Sequence, residues 1–254
     1  MTVRELYEML SERIPESLCE EWDNDGLMCS ADDGKEVVRV LITLDVTEEI
    51  VDYAVKNGFD TIISHHPLIF KPLHSVTPDN HIARKVMRLL TEGVSVMSFH
   101  TRLDKVKGGV NDCLARLLGL TDVVPFGDDC LGRIGRLDLD MMGFDEFSAR
   151  VKSVLGAERI IIADSYNPVY TVAVVGGDGK SYLKEAIEAG ADTFVSGRIS
   201  YNIMEEASEM GINLIEAGHY ATEFPVTAFL SHLVKKYDPK IYCEIVPSNV
   251  LRII

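Results

Sequence analysis

Strand-like and helix-like stretches alternate along the whole of this chain, and that rhythm constrains the fold more than any other feature. Val37 to Leu44 is a β-branched run that reads as a strand. Thr47 then caps a helix with Glu48 and Glu49 in its first turn, Ile50, Val51, Ala54 and Val55 as its apolar stripe, and Gly58 as its stop. Thr61 to Ser64 is the next strand, Ile82 to Leu90 a helix, Gly93 to Ser98 a strand, and Gly109 to Leu118 a helix ended by Gly119. Ahead of these, Thr2 to Arg13 opens on the capping box Thr2–Glu5 and sets Val3, Leu6, Met9 and Leu10 on one face. This β-α-β-α order predicts an α/β fold with largely parallel or mixed sheets.

The second half repeats the first at an offset of 132 residues. Val172 then falls on Val40, Ala186 on Ala54, Gly190 on Gly58, Asp192 on Asp60, Thr193 on Thr61 and Ser196 on Ser64, so that AVKNGFDTIIS matches AIEAGADTFVS. Further on, GVSVMSFHTRLD from Gly93 resembles GINLIEAGHYATE from Gly211 with one extra residue, which sets His100 on His219 and Asp104 on Glu223. We read an internal duplication that makes two similar α/β lobes, each supplying one wall of a shared cleft. Val123 to Leu139, with Pro125, several glycines and Asp128–Asp129, reads as a linker or hairpin into the second lobe. That lobe then has a helix from Phe144 to Leu155, strands Arg159–Ala163 and Tyr170–Val175, and a helix Lys180–Ala189. Pro225 starts a final helix and Ile241–Val246 a last strand. Residues 1–124 and 215–254 are expected in the first lobe and 125–214 in the second.

Composition sets the surroundings. The chain has 254 residues, enough for one to two domains, and 46% hydrophobic with 26% charged residues is ordinary for a folded protein. The longest run without Asp, Glu, Lys or Arg is the 13 residues Ser165–Gly177, too short for a membrane span. The opening MTVRELYEML has no apolar core of a secretory signal. A net charge of -15 argues against direct nucleic-acid binding through a general phosphate-neutralising field. The five cysteines are scattered with no C-x-x-C pair, which predicts buried thiols in a reducing cytoplasm.

The chemistry gathers at predicted strand ends, where ligands bind in open α/β sheets. His65 and His66 directly follow the strand Thr61–Ser64, and Pro67 forces His66 into an extended backbone. Neighbours in extended chain point opposite ways, which predicts one metal for each ring rather than one for both. A pair of hydrogen-bonded structural histidines is the alternative. His100-x-x-x-Asp104 and His219-x-x-x-Glu223 follow two further strands. Imidazole with carboxylate suits Mn, Fe, Co or Zn, and a carboxylate can bridge two cations that share a water. His74, His81 and His232 lack acidic partners in pattern and read as surface or core residues. VVGGDG after Tyr170–Val175 has neither G-x-G-x-x-G nor a P-loop lysine, so a tight turn is preferred over a phosphate cradle. Trp22 in EEWDNDGL is either a core anchor or a residue beside a pocket with Asp23 and Asn24. No G-x-S-x-G or Cys-His pattern supports a covalent nucleophile.

EEWDNDGL, ISHHPLIF, HTRLDKVKGGVNDCLARLLGL and AGHYATE resemble the NIF-three-like family, also called GTP cyclohydrolase I type 2 homologues. The resemblance spans nearly the whole chain. It implies two α/β lobes with a dinuclear metal centre between them, and a homo-oligomer built as a hexameric trimer of dimers. By matching motif it implies metal ligands His65, His66, Asp104, His219 and Glu223. His100 matches the first histidine of HTRLD and is either a ligand or a catalytic base beside the metals. Two departures bear on substrate: the family often has Asp where VSGRISYN has Arg198, with His where Asn202 stands, and commonly a neutral residue at Asp25. Arg198 falls opposite His66 in the duplication and is read as an anchor for an anionic group, with Gly197 leaving space beside it. A salt bridge to Glu205 or Glu206 is the alternative.

Two functions follow as expectations. One is a cytoplasmic hydrolase with two divalent transition metals per chain (Fe, Mn, Zn or Co), acting on a small anionic substrate such as a purine nucleotide. The other is a metal-binding interaction, regulatory or metal-trafficking protein without turnover. Open coordination positions favour the enzyme.

Overall fold

The computed structural model describes residues 1–138 and 141–253, and Leu139, the expected end of the connecting segment, lies outside them. The chain forms two compact units, Met1–Val106 with Thr227–Val250, and Lys107–Val226 with the tail from Leu251.

The first unit opens with α1 (Val3–Arg13), capped by Thr2 and Glu5 acting reciprocally. There follow β1 (Gly26–Cys29), β2 (Arg39–Thr43), α2 (Glu48–Lys56), β3 (Thr61–Ser64), α3 (His81–Thr91), β4 (Ser95–Ser98) and the short α4 (Thr101–Lys105). β2, β3 and β4 run parallel, and β1 pairs antiparallel with β4. All of β3 and β4 is buried, as a parallel strand covered on both faces requires. Ile50, Val51 and Ala54 of α2 pack with Leu41, Ile62 and Val96 of the sheet. Thr47 caps α2 as expected, its Oγ1 accepting from Ile50 N–H at 3.2 Å.

The second unit contains α5 (Val110–Leu117), β5 (Leu120–Phe126), β6 (Gly132–Leu137), α6 (Phe144–Leu155), β7 (Ile161–Ala163), β8 (Thr171–Asp178), α7 (Leu183–Glu188), β9 (Thr193–Arg198), α8 (Tyr201–Glu209), β10 (Asn213–Glu216) and α9 (His219–Glu223). Its sheet has the order β5-β6-β8-β9-β10-β7, with β8, β9 and β10 parallel and the other pairings antiparallel. β5 and β6 are the hairpin expected around Pro125. α10 (Val226–Tyr237) then leads to β11 (Tyr242–Ile245), which joins the first sheet parallel to β2. The protein is an α/β fold with mixed sheets.

Each unit carries the same local device. Asp60 Oδ2 accepts from the amides of Val38 and Arg39, both at 2.9 Å, which fastens the entry of β2 to that of β3. Asp192 Oδ2 accepts from the amides of Tyr170 and Thr171 at 3.0 and 2.7 Å, fastening β8 to β9. The two aspartates are the pair that the 132-residue offset aligns. The expected divisions at 124/125 and 214/215 fall instead at 106/107 and 226/227. α5 and β5 pack on the second core, where Leu114, Leu118 and Leu120 meet Val172 and Val195. His219 and Glu223 therefore belong to the second unit.

The described cysteines are all free; only Cys113 is buried, Cys130 is exposed and the other three are half-buried, against the expectation of buried thiols throughout. No helix is long and apolar enough to cross a membrane among the described residues.

Candidate metal centre

Two neighbouring strand ends build the site in the first unit. β3 and β4 lie in register with Ser64 opposite Ser98, and the two hydroxyls hydrogen-bond at 2.8 Å. The Phe99 amide donates to Ser64 O at 2.9 Å, so the chain leaves both strands at the same level. His65 and His66 follow β3, and His100 follows β4 as the residue before α4. The expectation that His65 and His66 point apart fails, because both lie in a bend beyond the strand. Their ring centroids are 4.9 Å apart, and His100 lies 5.3 and 5.7 Å from the two. One ring nitrogen from each of the three lies within 4.8 Å of the other two.

The partners of these rings decide their tautomers. His65 Nδ1 lies 2.9 Å from Phe99 O, and a carbonyl only accepts, so Nδ1 carries the proton. His66 Nδ1 donates to Asp45 Oδ1 at 2.8 Å, and Ser248 Oγ donates to the other carboxylate oxygen at 3.1 Å. His100 Nδ1 donates to Asp23 Oδ1 at 2.8 Å. With Nδ1–H so engaged, the neutral ring presents its Nε2 lone pair, the arrangement that fixes metal-binding imidazoles. Asp104, one turn into α4, sets Oδ1 3.6 Å from His65 Nε2.

Asp23 has no exposed side-chain surface. Besides His100 it accepts from Thr101 Oγ1 at 2.6 Å, Thr101 N at 3.1 Å and Asn24 N at 2.8 Å. Burial pushes its carboxyl up, but the hydrogen bonds from His100 and Thr101 outweigh burial and hold it well below the usual carboxylate range. For Asp25 burial prevails and raises the carboxyl, although Arg102 Nε donates to it at 3.0 Å. Arg102 is fully buried, with its guanidinium 4.6 Å above the Phe99 ring and Nη1 on Ile14 O at 3.0 Å. Cys19, Asp23 and Asp25 also lie close enough to share a cation. Their carboxylates are already committed to His100, Thr101 and Arg102, so this group serves the histidines.

The second unit carries the other pair. His219 begins α9 and its Nε2 lies 3.1 Å from Oε2 of the buried Glu223. Gly177 (φ +67°) makes room for that carboxylate: a Cβ there would strike Glu223 Oε1. The glycines of VVGGDG spend their amides inside the unit, Gly176 on Asn111 Oδ1 at 2.7 Å, Gly177 on Thr222 Oγ1 at 3.1 Å and Gly179 on Ser196 Oγ at 3.1 Å. The segment is therefore not a phosphate cradle, nor the expected tight turn, since residues 171–178 form β8. Gly197 does not leave the open space expected of it; a Cβ there would meet Thr222 Oγ1 at 2.6 Å and Gly177 O at 2.5 Å. Arg198 ends β9 exposed, and it forms no ion pair with Glu205 or Glu206. His74, His81 and His232 are exposed, as their lack of partners suggested.

Sequence reasoning missed Asp45 and Ser248. Asp45 follows β2 as His66 follows β3, so the strand-end rule that singles out the histidines marks it too. Trp22 is 63% exposed and its ring lies 6.3 Å from that of His100, which decides against a core anchor.

With this geometry in place, the family model Duf34/NIF3 (NGG1p interacting factor 3) matches residues 1–251. The chain belongs to the Duf34/NIF3 family. A family relative from Clostridium perfringens, called GTP cyclohydrolase 1 type 2 homolog, is 32% identical over 243 residues, covering 93% of this chain and 92% of its own length. One of the same name from Methanocaldococcus jannaschii is 31% identical over 245 residues, covering 95% and 98%. Among solved structures, a Staphylococcus aureus protein is similar at TM-score 0.89 and 28% identity, covering 100% of this chain and 99% of its own. Reduced HcgD from Methanocaldococcus jannaschii is similar at 0.84 and 29%, covering 96% and 97%.

Proposed function

We propose that the protein is a dinuclear metal-dependent hydrolase. His65, His66 and Asp104 of the first unit and His219 and Glu223 of the second would hold two divalent transition metals, Fe, Mn, Zn or Co. The observation that carries this reading is the set of three imidazoles whose Nδ1 atoms are all held by fixed acceptors and of which one ring nitrogen each lies within 4.8 Å of the other two. Nitrogen donors with carboxylates suit these borderline cations better than Mg or Ca. The aligned aspartate clamps and the equivalent positions of His100 and His219 after β4 and β10 support reading the two units as copies of one ancestor.

Bound metals would supply Lewis-acid polarisation and a water acidified toward neutrality. His100, with Nδ1 fixed on Asp23, is set to take or return a proton at Nε2. Arg198, exposed and in no ion pair among the described residues, would bind an anionic group of the substrate. Purine nucleotides are the first candidates, because the relatives carry the name GTP cyclohydrolase 1 type 2 homolog. A homo-oligomer, a hexamer built as a trimer of dimers, and a cytoplasmic setting complete the proposal.

Elemental analysis of protein reloaded with Mn, Fe, Co or Zn should approach two equivalents per chain, and a panel of nucleotides and phosphoesters should show metal-dependent turnover. One equivalent or less would refute the dinuclear centre. The family description, an interacting factor, favours a second reading: metal held for transfer or for a partner. Transfer to an apo-acceptor with no hydrolysis on the panel would select it.

A further inference from the structure

Beside the histidine cluster the first unit carries an aromatic corner that no part of the metal chemistry uses. Trp22, the only tryptophan of the chain, is 63% exposed, and Phe70 is 44% exposed. Their centroids are 6.2 Å apart with planes at 73°. Both rings stand edge-on to His100, Trp22 at 6.3 Å and 82°, Phe70 at 6.1 Å and 89°. Three nearly perpendicular planes meeting at one point are the inside corner of a box, and one of those planes is the imidazole read above as ligand or base.

The corner is rigid although its rings are wet. The residue after Trp22 is the buried Asp23, tied to His100 and Thr101. The next, Asn24, donates through Nδ2 to Ile69 O, the residue before Phe70. Leu68, two residues before Phe70, is buried in the core. The backbone on both sides is therefore pinned while the two largest apolar faces stay in water. Tryptophan is highly buried on average, and an exposed aromatic pair on a fixed frame marks a binding surface.

We propose that Trp22 and Phe70 bind a planar, nucleobase-like heteroaromatic ring, one face stacked on one ring and its edge toward the other, so that the ring is presented to His100. The neighbourhood of the imidazole cluster favours a small ligand over a protein surface: the corner is small and opens beside the polar groups that would act on what it holds. Stacking is tolerant of ring identity, so the corner sets the class of ligand rather than one compound. This deepens the hydrolase reading and rests on it for what the neighbouring cluster does, but the stacking itself needs no metal.

The single tryptophan is its own probe. Adenosine, titrated into the full-length protein with and without metal, should quench its emission saturably, and ribose 5-phosphate, which lacks a ring, should not. Phe70→Ala should weaken adenosine binding about tenfold or more, and Phe70→Tyr should retain it. Trp22→Leu, followed by calorimetry, should lose binding to a similar degree with metal content unchanged. Absence of saturable quenching, or an unchanged Kd in Phe70→Ala, overturns the proposal. So does a blue shift of Trp22 emission with protein concentration alone, which would assign the corner to a contact between copies. Quenching by adenosine in protein that binds no metal would instead leave the corner standing and remove the metal centre.

Discussion

Asp23→Asn changes one atom and tests the tautomer argument directly. Asp23 Oδ1 accepts from His100 Nδ1 and Asn24 N, and Oδ2 accepts from Thr101 N and Oγ1. An amide has one acceptor oxygen and one donor nitrogen. If the nitrogen takes the Oδ1 place, His100 must move its proton to Nε2 and loses the lone pair there. If it takes the Oδ2 place, the buried Thr101 amide faces another donor. Either way a charged acceptor is lost, and each hydrogen bond to a charged group contributes about 1.5–3 kcal/mol. A loss of about 2–4 kcal/mol in folding stability follows. With His100 as a ligand rather than the base, removing its partner should lower metal affinity about 10–100-fold, or about 1.4–2.8 kcal/mol. Chelator competition with Co or Zn reads the affinity and urea unfolding reads the stability. An affinity within about twofold of the wild type, in a variant that is destabilised as expected, would refute His100 as a ligand oriented by Asp23 and leave it the role of base.

Gly177→Ala should cost about 1–2 kcal/mol from its positive φ alone, and should also lower metal content, because the new methyl displaces Glu223; melting and elemental analysis check both. Glu223→Ala should lose both metals and His65→Ala mainly one, and equal loss in the two variants would count against Glu223 as the bridge. Arg198→Met should raise KM for an anionic substrate with metal content and melting temperature unchanged; an unchanged KM on a confirmed substrate would remove the anchor. Burial raises the Asp60 carboxyl, but the Val38 and Arg39 amides and Lys35 outweigh it and hold it below its ordinary range. Its stabilisation is therefore present above the ordinary aspartate pKa of about 3.9 and is lost as pH falls below that value. Asp60→Asn should be less stable by about 1 kcal/mol at pH 7, a figure reduced for solvent screening, and the gap should close in acid unfolding titrations.

The sequence by itself determined the parts whose cause is local. Thr2 with Glu5, and Thr47 before Ile50, announce helix starts because a capping hydroxyl acts within three residues. The β-branched runs locate β2, β3, β8 and β9 because parallel strands buried on both faces must be apolar throughout. His65, His66, His100, Asp104, His219 and Glu223 stand out in the sequence because they follow predicted strands and the His-x-x-x-carboxylate pattern occurs twice. Tertiary structure decided what depends on groups distant in the chain. The short α4 and α9 carry too few residues for a period to show. The division between the units fell elsewhere because β5 and β10 belong to whichever sheet offers them hydrogen bonds. Gly197 proved to be a packing residue because Thr222 and Gly177 come to it from other elements. Above all, the tautomers of the three histidines rest on Phe99, Asp45 and Asp23, which lie 34, 21 and 77 residues away from their partners. No periodicity or spacing encodes such contacts; they exist only once the sheet has set its strand ends side by side.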